Sequence, residues 1–132
     1  MYLGDVAQPD GNDSEFRRLT PHERAVVSAL LAKPFAGRDE LVRQLDHVRA
    51  KSIDDEGSLA LAAIGAMPAP VLYRVPVDGS MPDIDGVPIC VLLHVNDDGY
   101  MYELEIYRAD GSKPRRAIRP ESLTVVSLPV VG

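Results

Sequence analysis

The sequence predicts an α+β domain in which an N-terminal helical hairpin packs on one face of a mostly antiparallel, meandering β-sheet. Helical periodicity fades near residue 50, and short apolar segments separated by turn-forming residues follow it. The clearest of these segments, residues 89–107, reads as two strands joined by a four-residue turn at 96–99. Pairing Val95 with Tyr100 gathers eight apolar side chains on one face of this hairpin.

The N-terminal half carries the helix signals. Thr20 at the N-cap, Pro21 at the first helical position and Glu23 three residues after the cap form a capping box. This first helix ends before Pro34. A second helix is predicted over residues 38–50, and its apolar stripe faces the same side as that of the first, which predicts the hairpin.

The second half of the sequence predicts several strands, some from weaker patterns than others. Residues 58–64 fit a strand or a short helix. Residues 71–77 predict a strand at a sheet edge, because Pro76 cannot donate a ladder hydrogen bond. A long acidic loop is predicted over 78–86. A strand over 114–118 should pair back after the hairpin, and a last strand should span 123–128.

The chain is predicted to form one domain over residues 18–132, preceded by a disordered tail over 1–17 that is poor in apolar residues. The net charge of −6 argues against a general nucleic-acid binder or a binder of anionic membranes, because phosphates attract basic surfaces. It is compatible with a basic protein partner.

The lone cysteine, Cys90, excludes an intramolecular disulfide and a zinc site made only of cysteines. We expect it to be a small buried residue of a strand. The N-terminus lacks a basic segment followed by an apolar run, and no apolar stretch approaches the roughly 20 residues of a membrane span. A cytoplasmic protein without membrane contact is therefore expected.

No nucleophile elbow, phosphate-binding glycine loop or zinc-binding helix motif occurs in the sequence, which favours a protein that is not an enzyme. The segment Asp83, Ile84, Asp85, Gly86, with Asp78 five residues earlier, has ligands that calcium prefers. Its spacing fails the twelve-residue calcium loop, so no metal and no cofactor are predicted.

An enzymatic alternative rests on one strand of the hairpin. Glu103 and Glu105 project from the same face of that strand, and His94 lies diagonally near Glu103 in the predicted register. Such a group could serve a small hydrolase or a metal-assisted enzyme. The competing interpretation is a solvated or partner-facing polar sheet face. The arginines of a separate basic cluster, Lys113, Arg115, Arg116 and Arg119, are expected to pair with acids of neighbouring strands such as Glu103 or Glu105.

Three segments together resemble an uncharacterised family of small bacterial proteins. They are the helix start at Arg18-Leu19-Thr20, the loop Asp83-Ile84-Asp85-Gly86, and the strand and turn at 103–111, which reads E-L-E-I-Y-R-A-D-G. The resemblance spans about residues 17–126 and carries no established activity. It implies that the 83–86 loop and the 103–105 strand belong to one recurring unit, and it is associated with immunity or other interaction proteins.

The sequence therefore favours a non-enzymatic, immunity-like protein-binding module that presents an acidic face to a basic partner. A homodimer formed through a sheet edge or a helix surface is an alternative use of the fold. The predicted acidic face comprises Asp78, Asp83, Asp85, Asp97, Asp98, Glu103 and Glu105, and His94 belongs to the enzymatic alternative.

Overall fold

One antiparallel sheet organises the part of the chain that this computed structural model describes, residues 15–71 and 73–128. Within it, seven strands lie in the order β1-β2-β3-β6-β5-β4-β7. The strands are β1 (Arg17–Arg18), β2 (Val48–Ser52), β3 (Leu59–Ala63), β4 (Val77–Pro82), β5 (Pro88–Val95), β6 (Met101–Arg108) and β7 (Thr124–Ser127). The helices are α1 (Pro21–Leu30) and α2 (Arg38–Gln44), and single 3₁₀ turns span Leu45–His47 and Pro120–Ser122. This confirms the α+β class.

Helix α1 begins as predicted. The Thr20 hydroxyl accepts the backbone N–H of Glu23 at 3.1 Å, and the Glu23 carboxylate accepts the backbone N–H of Thr20 at 2.9 Å. This reciprocal capping satisfies two backbone donors that the helix itself leaves open. The helix then buries Val26, Val27 and Leu30 in the core beside β4 and β5.

The prediction of a helix over 38–50 is wrong in its second half, and the helical hairpin is not supported. Helix α2 ends at Gln44, and residues from Val48 onward form β2, which pairs with β3 and β1. Val48 and Ala50 are buried there, while Arg49 between them is exposed. The apolar spacing up to Val48 fits a helix, but pairing on both sides selects the strand.

Residues 58–64 contain the strand β3 rather than a short helix. Of the strand predicted over 71–77, the described residues 71 and 73–76 form only a single β-bridge, from Arg74 to His94, and β4 begins at Val77 and occupies part of the predicted loop. Gly79 explains why β4 can lie under α1. A Cβ atom there would stand 2.7 Å from Cδ2 of Leu30, so the helix approaches the strand closely only over glycine. Residues 114–118 are irregular rather than a strand, and β7 confirms the last strand.

The hairpin of β5 and β6 is confirmed, but its register differs from the prediction by two residues. Val91 faces Ile106 and Leu93 faces Leu104, which preserves the predicted faces because side chains alternate with a period of two. The ladder shifts after His94, which faces Glu103, whereas Val95 faces Met101. Tyr102 is the extra residue of this β-bulge and leaves the buried face.

Gln44 fixes the hairpin to α2. Its side chain is fully buried, and its amide nitrogen donates to the carbonyls of Gly99, at 2.9 Å, and Met67, at 3.0 Å. Its amide oxygen accepts the backbone N–H of Met101 at 3.1 Å. These three bonds tie α2 to the hairpin turn, to the start of β6 and to the segment at Met67, and the Gly99 carbonyl also accepts the backbone N–H of Ala69 at 2.8 Å.

The sheet has an inner face, which packs against the helices, and an outer face on the opposite side. Directly paired residues of an antiparallel sheet share a face, so the strand register assigns each side chain. Within the described ranges, no helix covers the outer face. The outer face carries Arg18, Arg49, Lys51, Ala60, Ala62, Asp78, Ser80, Cys90, Leu92, His94, Glu103, Glu105, Tyr107, Thr124 and Val126.

Two further predictions concern the N-terminal tail and Cys90. Most of the predicted disordered tail, residues 1–14, lies outside the described residues, while Arg17 at its end belongs to β1. Cys90 is a free thiol that is only partly buried, because it stands on the outer face. Neither described helix has the length and apolar character that crossing a membrane requires.

Candidate functional site

A buried arginine at the end of β6 draws together several of the predicted acidic residues. Arg108 is only 3% exposed and continues the inner face that Leu104 and Ile106 begin. A guanidinium on a buried face must be neutralised and hydrogen-bonded, because removing its charge from water is costly. The residues that do this come from two segments of the chain.

Three carboxylates surround the guanidinium of Arg108. Nη1 donates to Asp83 at 2.9 Å and to Asp85 at 2.8 Å, and Nη2 donates to Asp85 at 2.7 Å. Asp110 accepts from Nε at 2.9 Å and from Nη2 at 3.0 Å. These four residues form the Arg108 cluster, which joins the 83–86 loop to the 108–111 turn.

The cluster holds its carboxylates in the ionised form. Hydrogen bonding from Arg108 lowers the pKa of Asp85 to about 2 and also lowers the pKa of Asp110, to which Ser112 contributes. Burial acts to raise the pKa of Asp83, but backbone N–H groups of Arg115 and Ile84 and the guanidinium outweigh it, so the net shift is downward. In return, Asp85 and Asp110 raise the pKa of Arg108.

The predicted acidic face therefore loses two members. The Asp83 side chain has no exposure, and Asp85 is about 30% exposed and bound to Arg108. Asp83 is buried and Asp85 is bound to Arg108, so the oxygens of neither are free for a partner, although three carboxylates around one guanidinium leave the cluster with a net negative charge. In the described part of the chain, no group of three or more histidine, cysteine, aspartate or glutamate side chains could hold a metal ion.

The remaining predicted acids stay accessible, and they form the outer acidic cluster. Glu103 faces His94 on the outer face, and Glu105 lies diagonally from it. Asp78 pairs with Arg74 at 2.9 Å on the neighbouring strand edge. The tip of the hairpin exposes the two other members. The cluster comprises Asp78, Asp97, Asp98, Glu103 and Glu105.

His94 contacts Glu105 rather than Glu103, which was its predicted neighbour. The imidazole Nε2 and a carboxylate oxygen of Glu105 are 2.8 Å apart. Glu103 makes no ion pair with any described residue, so its carboxylate is free beside the His94 imidazole. The enzymatic alternative requires a histidine that a carboxylate holds in place, as Glu105 does here. That alternative stays a prediction.

A cleft of about 340 Å³ opens beside this pair, and two tyrosines flank it. Tyr102 reaches the cleft through the β-bulge, and its ring centroid lies 6.2 Å from that of His94. Tyr73 reaches it through a backbone φ of 70°, a left-handed conformation that a bulky residue rarely adopts. Asp97 lines the same cleft, which we call the His94 cleft.

The basic residues after β6 do not pair with the outer acidic cluster. Arg115 lies 3.4 Å from Asp85, and Arg119 lies 3.5 Å from Glu121, so the pairing predicted with Glu103 or Glu105 is wrong. The reason is that residues 114–118 do not form a strand beside β6, whose neighbours are β3 and β5. Glu103 and Glu105 therefore have no arginine partner among the described residues.

The role of Arg108 escaped the sequence interpretation, although a signal for it was present. Alternation from Leu104 and Ile106 places Arg108 on the apolar face of its strand, where an arginine requires carboxylate partners. Asp110, two residues later, and the acidic 83–86 loop are the partners it finds. Two of the three segments that carried the family resemblance, the 83–86 loop and the 103–111 strand and turn, meet at this residue.

Comparisons with known proteins agree with that resemblance at the level of the family. A family model described as a domain of unknown function (DUF6984) matches residues 16–117. The matched region contains the Arg108 cluster, the outer acidic cluster and the His94 cleft. Searches of the curated proteins and of the solved structures found no match.

Proposed function

The chain belongs to the DUF6984 family, and we propose that it is a non-enzymatic module that binds a basic protein through the outer acidic cluster. The observation that carries this proposal is the uncovered outer face of β4, β5 and β6, on which Glu103 and Glu105 have no arginine or lysine partner among the described residues. Asp78, Glu103 and Glu105 stand on strands and so have a fixed arrangement, while Asp97 and Asp98 stand on the hairpin turn.

The charge pattern favours a basic partner over an anionic one at this part of the sheet. Five carboxylates stand in the cluster. Among the described residues, Arg74 pairs with Asp78, and the imidazole of His94 contacts Glu105. Such a field speeds association with a basic partner and disfavours acidic ones, and it affects specificity more than affinity.

The His94 cleft gives the same surface an anchoring point. A lysine side chain of the partner could lay its apolar stem against the rings of Tyr73 and Tyr102, with its ammonium toward Asp97. Tyrosines of this kind often supply much of the binding energy of an interface, while the surrounding charges orient the partner. The strained backbone at Tyr73 fits a residue that is held in place for binding.

One concrete version of this function is immunity. A small bacterial protein in the cytoplasm would neutralise a basic nuclease toxin by occupying the surface that the toxin uses for phosphates. The acidic outer face would then act as a mimic of the nucleic-acid backbone, and no catalytic group of the chain would be required.

The test is a pull-down from a lysate of the source organism with the wild type and with Glu103→Gln/Glu105→Gln. A matched control, Asp46→Asn/Glu121→Gln, removes the same two charges from exposed pairs in the 3₁₀ turns. We expect the wild type and the control to enrich one basic protein at about 150 mM salt, and the test variant to bind it at least about tenfold more weakly.

Both variants should fold, since surface substitutions of this kind shift the unfolding midpoint by only about 2 °C. Equal capture of the basic protein by all three chains would show that the outer acidic cluster is not the binding surface.

A further inference from the structure

A groove at the β1 and β2 end of the sheet lies away from the outer acidic cluster. It encloses about 540 Å³, which is within the range of small-molecule sites. Its walls combine cationic side chains with apolar ones, among them Ile64, which is 64% exposed. The lining includes Arg18, Arg24, Arg49 and His47, and Asp46 lines the groove as well.

Two of these arginines oppose each other directly. Arg18 of β1 faces Arg49 of β2 in the strand register, so both side chains stand on the same face, and both are exposed. Like charges that face each other across two strands destabilise the pairing. Only two residues of β1 pair with β2, so this repulsion acts on a strand that few hydrogen bonds hold in the sheet.

Acids near the groove do not relieve the repulsion. Asp46 binds Arg24 at 2.8 Å, and Glu23 binds Arg17 at 2.7 Å. Among the described carboxylates, none lies within ion-pairing distance of Arg18 or Arg49. Two positive charges therefore meet in a groove of a chain whose net charge is −6.

We propose that this groove binds a small phosphorylated molecule, whose phosphate lies between the guanidinium groups of Arg18 and Arg49. A phosphate carries nearly two negative charges at neutral pH, which matches the two arginines better than a single carboxylate does. Guanidinium groups also match phosphate oxygens with paired hydrogen bonds. The apolar part of the ligand would contact Ile64 and Leu19.

Inorganic phosphate is the probe, and the thermal unfolding midpoint of the full chain is the readout. The comparison is made at constant ionic strength, with sodium chloride or sodium acetate in place of phosphate, because salt alone would screen the repulsion. A ligand that binds only the folded state raises the midpoint. We expect about 20 mM phosphate to raise it by roughly 3 °C more than either control salt.

Two variants test the proposal through different effects on the unfolding midpoint in phosphate and in chloride. Arg18→Gln and Arg49→Gln should each abolish the phosphate-specific rise, yet in chloride alone each should unfold at the same temperature as the wild type or higher, because the repulsion is gone. Arg18→Lys should keep part of the rise, since it keeps the charge without the paired hydrogen bonds. Arg119→Gln, outside the groove, should keep all of it.

Equal midpoints in phosphate, acetate and chloride would overturn the proposal, as would an undiminished rise in both glutamine variants. Phosphate should also shift the backbone amide NMR signals of Arg18, His47 and Arg49. Shifts confined to other residues would assign any stabilisation to a different site and would equally overturn it.

Discussion

The Arg108 cluster and the outer acidic cluster contain the same kinds of side chain but use them in opposite ways. In the Arg108 cluster, Asp83, Asp85 and Asp110 surround one buried guanidinium at distances of 2.7–3.0 Å. In the outer acidic cluster, Glu103 has no described ion-pair partner and Glu105 contacts only a histidine. The Arg108 cluster connects two segments of the fold, and the outer acidic cluster is accessible to a partner.

The difference comes from where the cations of the chain lie, not from the acids themselves. Arg108 shares the buried face of its strand with Ile106, and it therefore gathers the nearest carboxylates. Glu103 and Glu105 occupy the other face of the same strand, where water solvates them. The acids most open to a partner are consequently those without an arginine partner in the chain, such as Glu103 and Glu105, and neither net charge nor local sequence identifies them.

The largest effect should follow from removing the buried cation. Arg108→Leu leaves three carboxylates without their partner, and the Asp83 side chain has no access to water. Deleting one member of a buried pair is strongly destabilising. We expect the thermal unfolding midpoint to fall by at least about 10 °C, or the chain to fail to fold.

Arg119→Leu is the matched control, because its pair with Glu121 is exposed and such pairs contribute little. The midpoint of that control should change by no more than about 2 °C. A midpoint for Arg108→Leu as high as that of Arg119→Leu would remove the distinction between the two clusters.

A smaller effect should appear on acidification. The pKa values of Asp83, Asp85 and Asp110 are lower in the folded chain than the unfolded value of about 3.9. Between the folded and unfolded values the unfolded chain binds more protons, so the stabilisation is complete above about pH 4 and is lost as the pH falls toward 2 and below.

Urea unfolding from pH 5 to pH 2 measures this loss. Asp85→Asn should flatten the dependence of the urea midpoint on pH, because one titrating carboxylate is gone. The dependence should persist at about 0.5 M salt, since partly buried pairs are weakly screened. A steep wild-type dependence that Asp85→Asn leaves unaltered would place the acid-sensitive groups elsewhere.

Local signals predicted the parts of the fold that local chemistry decides. The capping box at Thr20 and the turn at 96–99 were predicted correctly, because each depends on neighbouring residues only. The strand at Val48–Ser52, the placement of β4 and the two-residue shift in the hairpin depend on pairing with distant segments. Gly79 and Gln44 show how specific those long-range contacts are.

The candidate site likewise has features that local sequence predicted and features that depend on distant segments. Glu103, Glu105 and His94 were predicted to share a face, because alternation along a strand decides this. The loss of Asp83 and Asp85 to Arg108 required knowing which distant loop meets the end of β6. Tyr73 and Tyr102 reach one cleft through a left-handed residue and a bulge, and neither irregularity has a signal in the sequence.

The most direct test of this division is a two-dimensional amide NMR spectrum recorded while hexalysine is added to the full chain. We expect the shifted signals to come from Tyr73, His94, Glu103 and residues 97–102, and to decrease when salt is raised. Signals from residues 83–85 and 108–112 should stay in place, because their carboxylates are bound to Arg108. Shifts centred on residues 83–85 and 108–112 instead would contradict the account.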